Sequence, residues 1–350
     1  MELISLKEKD KWNNLVMEFP QWDIYYLNEY AHSLQLHGDG IPYLIYHEKD
    51  GARLCYVMMQ NDISEFAPLS EVIPAQKYYD WTTPYGYGGP LIQGNISEQW
   101  IKEFMHELTQ KCMQSGIISQ FFRFHPLLQN QKILESVSDV IYMKKTIYID
   151  TGNSDVIFKN MTPNNRNMVR KAKKNGVSIV TDKGERLEAF IKIYEATMKN
   201  NGADSYYYFE KEYFKELIDT MPDSIQFFYA EYQGIPVSAS IFLYNQHFMH
   251  YHLSGTLPEY RNLGAANLVL SEAAYWAAEH NIKKFHLGGG LGIEDSLFSF
   301  KKHFNRNGEI DFCIGRNIFD KSTFDELVKI REENDPDFDS SRPFLIKYRG

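Results

Sequence analysis

The chain reads as α/β, or more closely α+β: two tandem domains, each a mixed, mostly antiparallel sheet flanked by helices. Three observations point there. The 350 residues exceed one average domain, so length favours two. Hydrophobic periodicity orders the second half as β-α-α-β-β-β-α-β-α-β. The first half gives a partial echo of that order, and the boundary falls between 1–150 and 151–315.

In order along the chain, 5–18 and 24–37 are predicted helices. A hairpin follows around Asp50-Gly51, a dipeptide suited to a two-residue strand turn. The glycine-rich stretch 84–90 (PYGYGGP) leads into a strand, a helix over 97–115 closed by Gly116, and a buried strand (IISQFFRF). A short helix near 128–137 and a strand near 140–149 finish this half. Beyond it, Thr162 can cap a helix whose first residue is Pro163, and Gly176 stands where a C-terminal cap belongs. A strand (VSIVTD), helices over 185–200 and 210–219, and a three-strand meander with turns at Gln233-Gly234 and Asn245-Gln246 come next. Then follow a long helix over 264–280, the strand KKFHLGG, a helix over 295–304, the strand IDFCIG, a helix near 321–333 and a strand-like FLIKYR. This order of elements resembles that of the GCN5-related acetyltransferase (GNAT) fold.

Composition narrows the class. Apolar residues at 43% and aromatics at 15% supply packed cores, and the 24 Tyr suit pocket walls that need an apolar ring and a polar tip. A net charge of −9 argues against a general polyanion or DNA binder, while leaving room for a local basic patch. The charged N-terminus lacks the apolar stretch of a signal peptide, and no run is long enough to span a bilayer. Cys55, Cys112 and Cys313 are scattered, so neither a disulfide framework nor a metal knuckle is expected, and the expected compartment is a reducing cytoplasm. Peripheral contact with a membrane-attached substrate stays open.

Three segments can carry chemistry. Arg261-Asn-Leu-Gly264-Ala265-Ala266 has the form R-x-x-G-x-A at the start of the long helix. Small residues there let backbone N–H groups approach a phosphate such as the pyrophosphate of coenzyme A, or they simply make a tight strand-to-helix turn. On the helix 163–175, Arg166, Arg170, Lys173 and Lys174 fall on one face, opposite Met168, Val169 and Ala172. That face is either solvated or turned to a phosphate-bearing partner. In the segment 286–304, the glycine run Gly288-Gly289-Gly290 suits close backbone or ligand approach, Asp295 can cap the next helix, and Leu297, Phe300 and Phe304 form its inward stripe. Lys301 beside that stripe either extends its amine into water or presents it to a closed cleft, where it would stabilise an oxyanion or hold a phosphate. His247, His250 and His252 have no matching carboxylate, so no metal is expected, and no motif supports a covalent nucleophile. Direct acyl transfer to an amine needs neither.

PYGYGGP (84–90), RFHPLLQN (123–130), NNRNMVRKAKKNGV (164–177), YHLSGT (251–256) and HLGGGLGIEDSLFSFKKHF (286–304) together resemble the Fem family of peptidyltransferases, which extend the side chain of peptidoglycan precursors. The resemblance implies two GNAT-like domains, with residues from about 316 to 350 returning to the first. It implies Lys301 and Phe300 as the catalytic pair, the lysine offsetting charge on the tetrahedral intermediate or on a donor phosphate. Arg261, Gly264, Ala265, Arg166, Arg170, Tyr251, Gly288 and Gly289 are the candidate substrate- and phosphate-binding positions. The implied acceptor is an amine on a UDP- or lipid-linked muropeptide. The implied co-substrate is an aminoacyl-tRNA, with no cofactor held tightly. One departure is plain: the long coiled-coil arm of several members is missing, since only about 25 residues separate Asn200 from Ile225. The R-x-x-G-x-A loop favours a rival reading, an acyl-CoA-dependent N-acyltransferase acting on a nucleotide- or lipid-linked amino sugar. A catalytically silent binding module is a third.

Overall fold

A computed structural model describes residues 1–341 and 346–350. The chain divides into two compact units, residues 1–143 with 312–350, and residues 144–311. Unit one contains β1 (Glu2–Ser5), α1 (Lys9–Met17), α2 (Asn28–His37), β2 (Ile41–Lys49), β3 (Ala52–Asp62), β4 (Tyr79–Thr82), β5 (Leu91–Gln93), α3 (Glu98–Gln114) and β6 (Ile117–Arg123). The chain enters unit two within β7 (Asp139–Asp150). There follow α4 (Ser154–Asn160), α5 (Pro163–Lys174), β8 (Ser178–Asp182), α6 (Leu187–Asn201), α7 (Lys211–Thr220), β9 (Ile225–Tyr232), β10 (Ile235–Tyr244), β11 (Phe248–Thr256), α8 (Ala265–Glu279), β12 (Lys284–Gly288) and α9 (Ser296–Lys302). β13 (Glu309–Ile318) leads back to unit one, which α10 (Lys321–Asn334) joins.

The sheet of unit one runs β1-β2-β3-β4-β6-β13, with β5 on the far end of β3. Its pairs are antiparallel except β4 with β6. The hairpin turn at Asp50-Gly51 has φ of 54° and 75°, the left-handed pair that such a turn requires. Three expectations change here. The predicted helix 24–37 is broken, because Asp23 caps a short 3-10 turn at Ile24–Tyr26 and Leu27 then adopts extended backbone. The predicted helix near 128–137 shrinks to a 3-10 turn, Asn130–Ile133, entered through left-handed Gln129. Of the strand-like FLIKYR, Phe344 and Leu345 lie outside the described residues, and Lys347–Arg349 form a 3-10 turn. That turn is fastened by Asp80 of β4, whose buried carboxylate accepts from Arg349 Nε at 2.8 Å, Arg349 Nη2 at 3.0 Å and Tyr348 Oη at 3.1 Å.

In unit two the order from β8 to β13 is the predicted β-α-α-β-β-β-α-β-α-β, and α4 is an additional helix before it. Its sheet runs β7-β12-β11-β10-β9-β8. Strands β8 to β11 are an antiparallel meander, β12 is parallel to β11, and β7 is antiparallel to β12. Val169 and Ala172 of α5 and the apolar side of α8 share one core with Phe242 and Phe285 of the sheet. On the other face Phe190 of α6 meets Phe214 of α7 and Phe227 of β9. Among the described residues no helix is long and apolar enough to cross a membrane.

Candidate active site

The sheet of unit two opens along β11. Parallel pairing with β12 covers only Phe248–His250 against Lys284–His286. β11 runs on to Thr256, whereas the end of β12 is held by β7, with Gly288 opposite Ile147. Two parallel strands that part in this way leave a notch with unpaired backbone on its β11 side. A bulge sits at the same place: Ile241 lies opposite Leu253 and Phe242 opposite Tyr251, which makes His252 the extra residue of β11. The His252 ring is held at 2.6 Å by the Tyr213 hydroxyl.

Helix α9 brings an amine to this notch. Asp295 caps it, accepting from Phe298 N at 2.8 Å and from Gly292 N at 2.7 Å. The same carboxylate dictates the glycine run, since a Cβ on Gly290 would stand 2.0 Å from Asp295 Oδ1. Gly288 has φ of +75°, and a Cβ on Gly289 would meet the Lys145 carbonyl at 3.1 Å. The inward stripe of α9 is offset from the expected one. Phe298, Lys301 and Phe304 are buried at successive spacings of three, Phe300 is half-buried, and Leu297 is 37% exposed. Lys301 is therefore on the buried stripe itself, and its side chain, 8% exposed, does not reach water as a stem-packed lysine would.

Lys301 Nζ donates to the Gly289 carbonyl at 2.7 Å and stands 5.8 Å from the centre of the Tyr251 ring on β11. Burial, then the neighbouring Lys144 ammonium, pull its pKa from 10.5 to about 7, against the opposing effect of Asp295. Lys144, which sequence reasoning passes over, donates to the next two carbonyls, Gly290 at 2.6 Å and Leu291 at 3.0 Å. The arrangement puts a buried lysine able to take up or release a proton near neutral pH beside the bulged strand.

The N-terminus of α8 follows the same strand. Gly264 has φ of +76°, and a Cβ there would meet Met168 O of α5 at 2.8 Å, so the glycine is needed for both reasons. Ala265 is buried, Arg261 is exposed, and Asn267 of the first turn donates to Asn165 Oδ1 of α5 at 2.7 Å. Asn165 Nδ2 is buried and has no hydrogen-bond partner among the described residues. The basic residues of α5 are dispersed: Arg166 and Arg170 lie over Phe158 of α4 at 5.7 and 5.2 Å, and Lys173 pairs with Glu272 of α8 at 2.7 Å. The structure thus groups Lys301, Tyr251 and Gly289 and places Gly264 and Ala265 at the adjoining helix end. Arg166 and Arg170 make their ring contacts with α4. A cavity of about 810 Å³ between α4 and α8, lined by Thr151, Asp155, Tyr275 and Glu279 among others, contains none of the expected site residues.

Residues 160–301 match the family model of the acetyltransferase (GNAT) domain. The solved structure of FemX is 14% identical, covers 93% of this chain and 99% of that one, and superposes with a TM-score of 0.64. Residues 160–301 are thus an acyltransferase domain of the GNAT type, in a chain whose fold is similar to that of FemX. A tandem GNAT protein from the clavulanic acid biosynthesis pathway is similar in fold to this chain at a TM-score of 0.51 and 7% identity, over 91% of this chain and 98% of that one. The C-terminal domain of a putative lysylphosphatidylglycerol synthetase from Agrobacterium fabrum is similar at 0.56 and 8%, over 91% and 92%. Comparison with curated proteins finds no match.

Proposed function

We propose that this chain transfers an aminoacyl group from an activated ester to an amine of a peptidoglycan or other cell-envelope precursor, on the cytoplasmic side. The observation that carries the reading is the Lys301 amine, buried beside the bulge of β11 and bonded to Gly289. The acceptor amine attacks the donor carbonyl in the notch, where bound geometry replaces a covalent enzyme intermediate. Phe300 packs against Phe304 and shapes the wall next to Lys301. Gly264 and Ala265, at the positive end of α8, hold the donor's phosphate. The resemblance of the chain's motifs to the Fem family points to an aminoacyl-tRNA as donor, and the likeness in fold to a putative lysylphosphatidylglycerol synthetase is in keeping with aminoacyl transfer.

A second reading, acyl-CoA as donor and an amino sugar as acceptor, is favoured by the R-x-x-G-x-A turn at Gly264. Incubation with UDP-MurNAc-pentapeptide and either charged tRNA or acetyl-CoA, followed by mass spectrometry, separates the two. A mass gain that needs the tRNA supports the first; a gain with the thioester alone supports the second. No gain with either refutes this acceptor.

A further inference from the structure

We propose that Lys301 is the proton shuttle of the transfer, and that Lys144 is the positioning residue that holds it in that role. The proposal rests on the transfer reading above. Three consecutive carbonyls of the glycine strap, Gly289, Gly290 and Leu291, accept from two lysines: Lys301 takes the first and Lys144 the next two. Gly289 lies against β7, with its Cβ position 3.6 Å from Lys144 Cε, so strap, β7 and α9 converge on the two amines. The Lys301 amine is bonded to the Gly289 carbonyl, and among the described residues it forms no ion pair with a carboxylate. A buried ammonium without a carboxylate partner is costly, so the neutral amine is favoured. The groups that face it are Lys144 from β7, whose charge works against protonation, Asp295 at the start of α9, which works for it, and the Tyr251 ring from β11.

The step balances without a further reactant. The acceptor's nitrogen lone pair forms the C–N bond as the carbonyl π pair moves to oxygen. Neutral Lys301 takes one proton from that nitrogen. The tetrahedral intermediate then collapses, the C–O bond of an ester (or C–S bond of a thioester) breaks, and the Lys301 ammonium returns the proton to the leaving oxygen or sulfur. Lys144 makes no contact with substrate in this scheme. It fixes the strap and its charge keeps Lys301 ready to accept.

The test measures kcat/KM for the donor against pH in the wild type, Lys144→Met and Lys144→Arg. In parallel, carbon NMR of ε-labelled lysine follows the Lys301 resonance in the ligand-free protein, identified by its loss in Lys301→Met. The wild-type rate should rise tenfold per pH unit below about 7 and then level off. In Lys144→Met both midpoints should move upward together, with roughly a 3- to 10-fold loss of rate on the acid limb and recovery on the alkaline side. Lys144→Arg, which keeps charge and donors, should retain the wild-type midpoints. A rate that falls through neutrality, or an equal loss at every pH in Lys144→Met, overturns the proposal. If neither donor is used at any pH, the transfer reading falls and the shuttle with it. If transfer proceeds but the Lys301 resonance titrates unchanged in Lys144→Met, the proposal falls alone.

Discussion

Replacing Lys301 with Met should change how the stability of the protein depends on pH, whatever the substrate. Lys301 is 8% exposed, and its pKa is lowered from 10.5 to about 7 in the folded chain. Between those values the unfolded chain binds a proton that the native chain does not, so stability rises with pH across this window. At roughly 1.4 kcal/mol per unit, the whole window corresponds to about 5 kcal/mol. Below it the native state carries the full cost of a buried charge; above it the cost is gone. Methionine has a similar stem and no charge, so Lys301→Met should be more stable than the wild type at neutral and acid pH. The gap should narrow by about 2 kcal/mol on going from about pH 7 to about pH 9. Urea unfolding of both proteins across that range measures it, and the difference between them cancels the other titrating groups. Parallel stability profiles would show that the amine is charged throughout, and would refute the reasoning from burial to protonation state.

Other substitutions read the local geometry. Gly290→Ala places a methyl where Asp295 Oδ1 stands, 2.0 Å away, and should cost transfer activity with a lowered melting temperature. Asp295→Ala should cost about 1 kcal/mol through loss of the α9 cap and move the Lys301 titration further down, since this carboxylate raises it; calorimetry and the lysine resonance report the two effects. Asp80→Asn breaks the buried pair with Arg349 and should destabilise unit one by about 3 kcal/mol, read by denaturant unfolding. Gly264→Val forces φ of +76° on a branched residue against Met168 O, and should abolish any thermal shift given by coenzyme A.

Much of unit two is legible in the residues because its signals are local. Thr162 and Pro163 start α5, Asp295 starts α9, and Gln233-Gly234 turns β9 into β10 at φ of 53° and 78°. Each needs only the chemistry of a few neighbouring residues. Errors in unit one fall where the backbone turns locally against the hydrophobic period. Asp23 and extended Leu27 split a helix that periodicity joins, and left-handed Gln129 cuts short the one predicted beside it. Lys144 carries no signal at all, because its partners are carbonyls 146 and 147 residues away in sequence.

DSLFSFKKHF by itself determines a capped helix with aromatic residues on one side and a lysine among them, since capping and helical spacing are properties of adjacent residues. It does not determine which side faces inward. A shift of the buried stripe by one residue, from Leu297 to Phe298, carries Lys301 from the flank of the helix into the interior. Only the packing of α9 against the glycine strap, β7 and β11 decides that shift, and with it the state of the amine. The energy of a charge depends on what surrounds it in space, and for Lys301 those surroundings come from three separate stretches of chain.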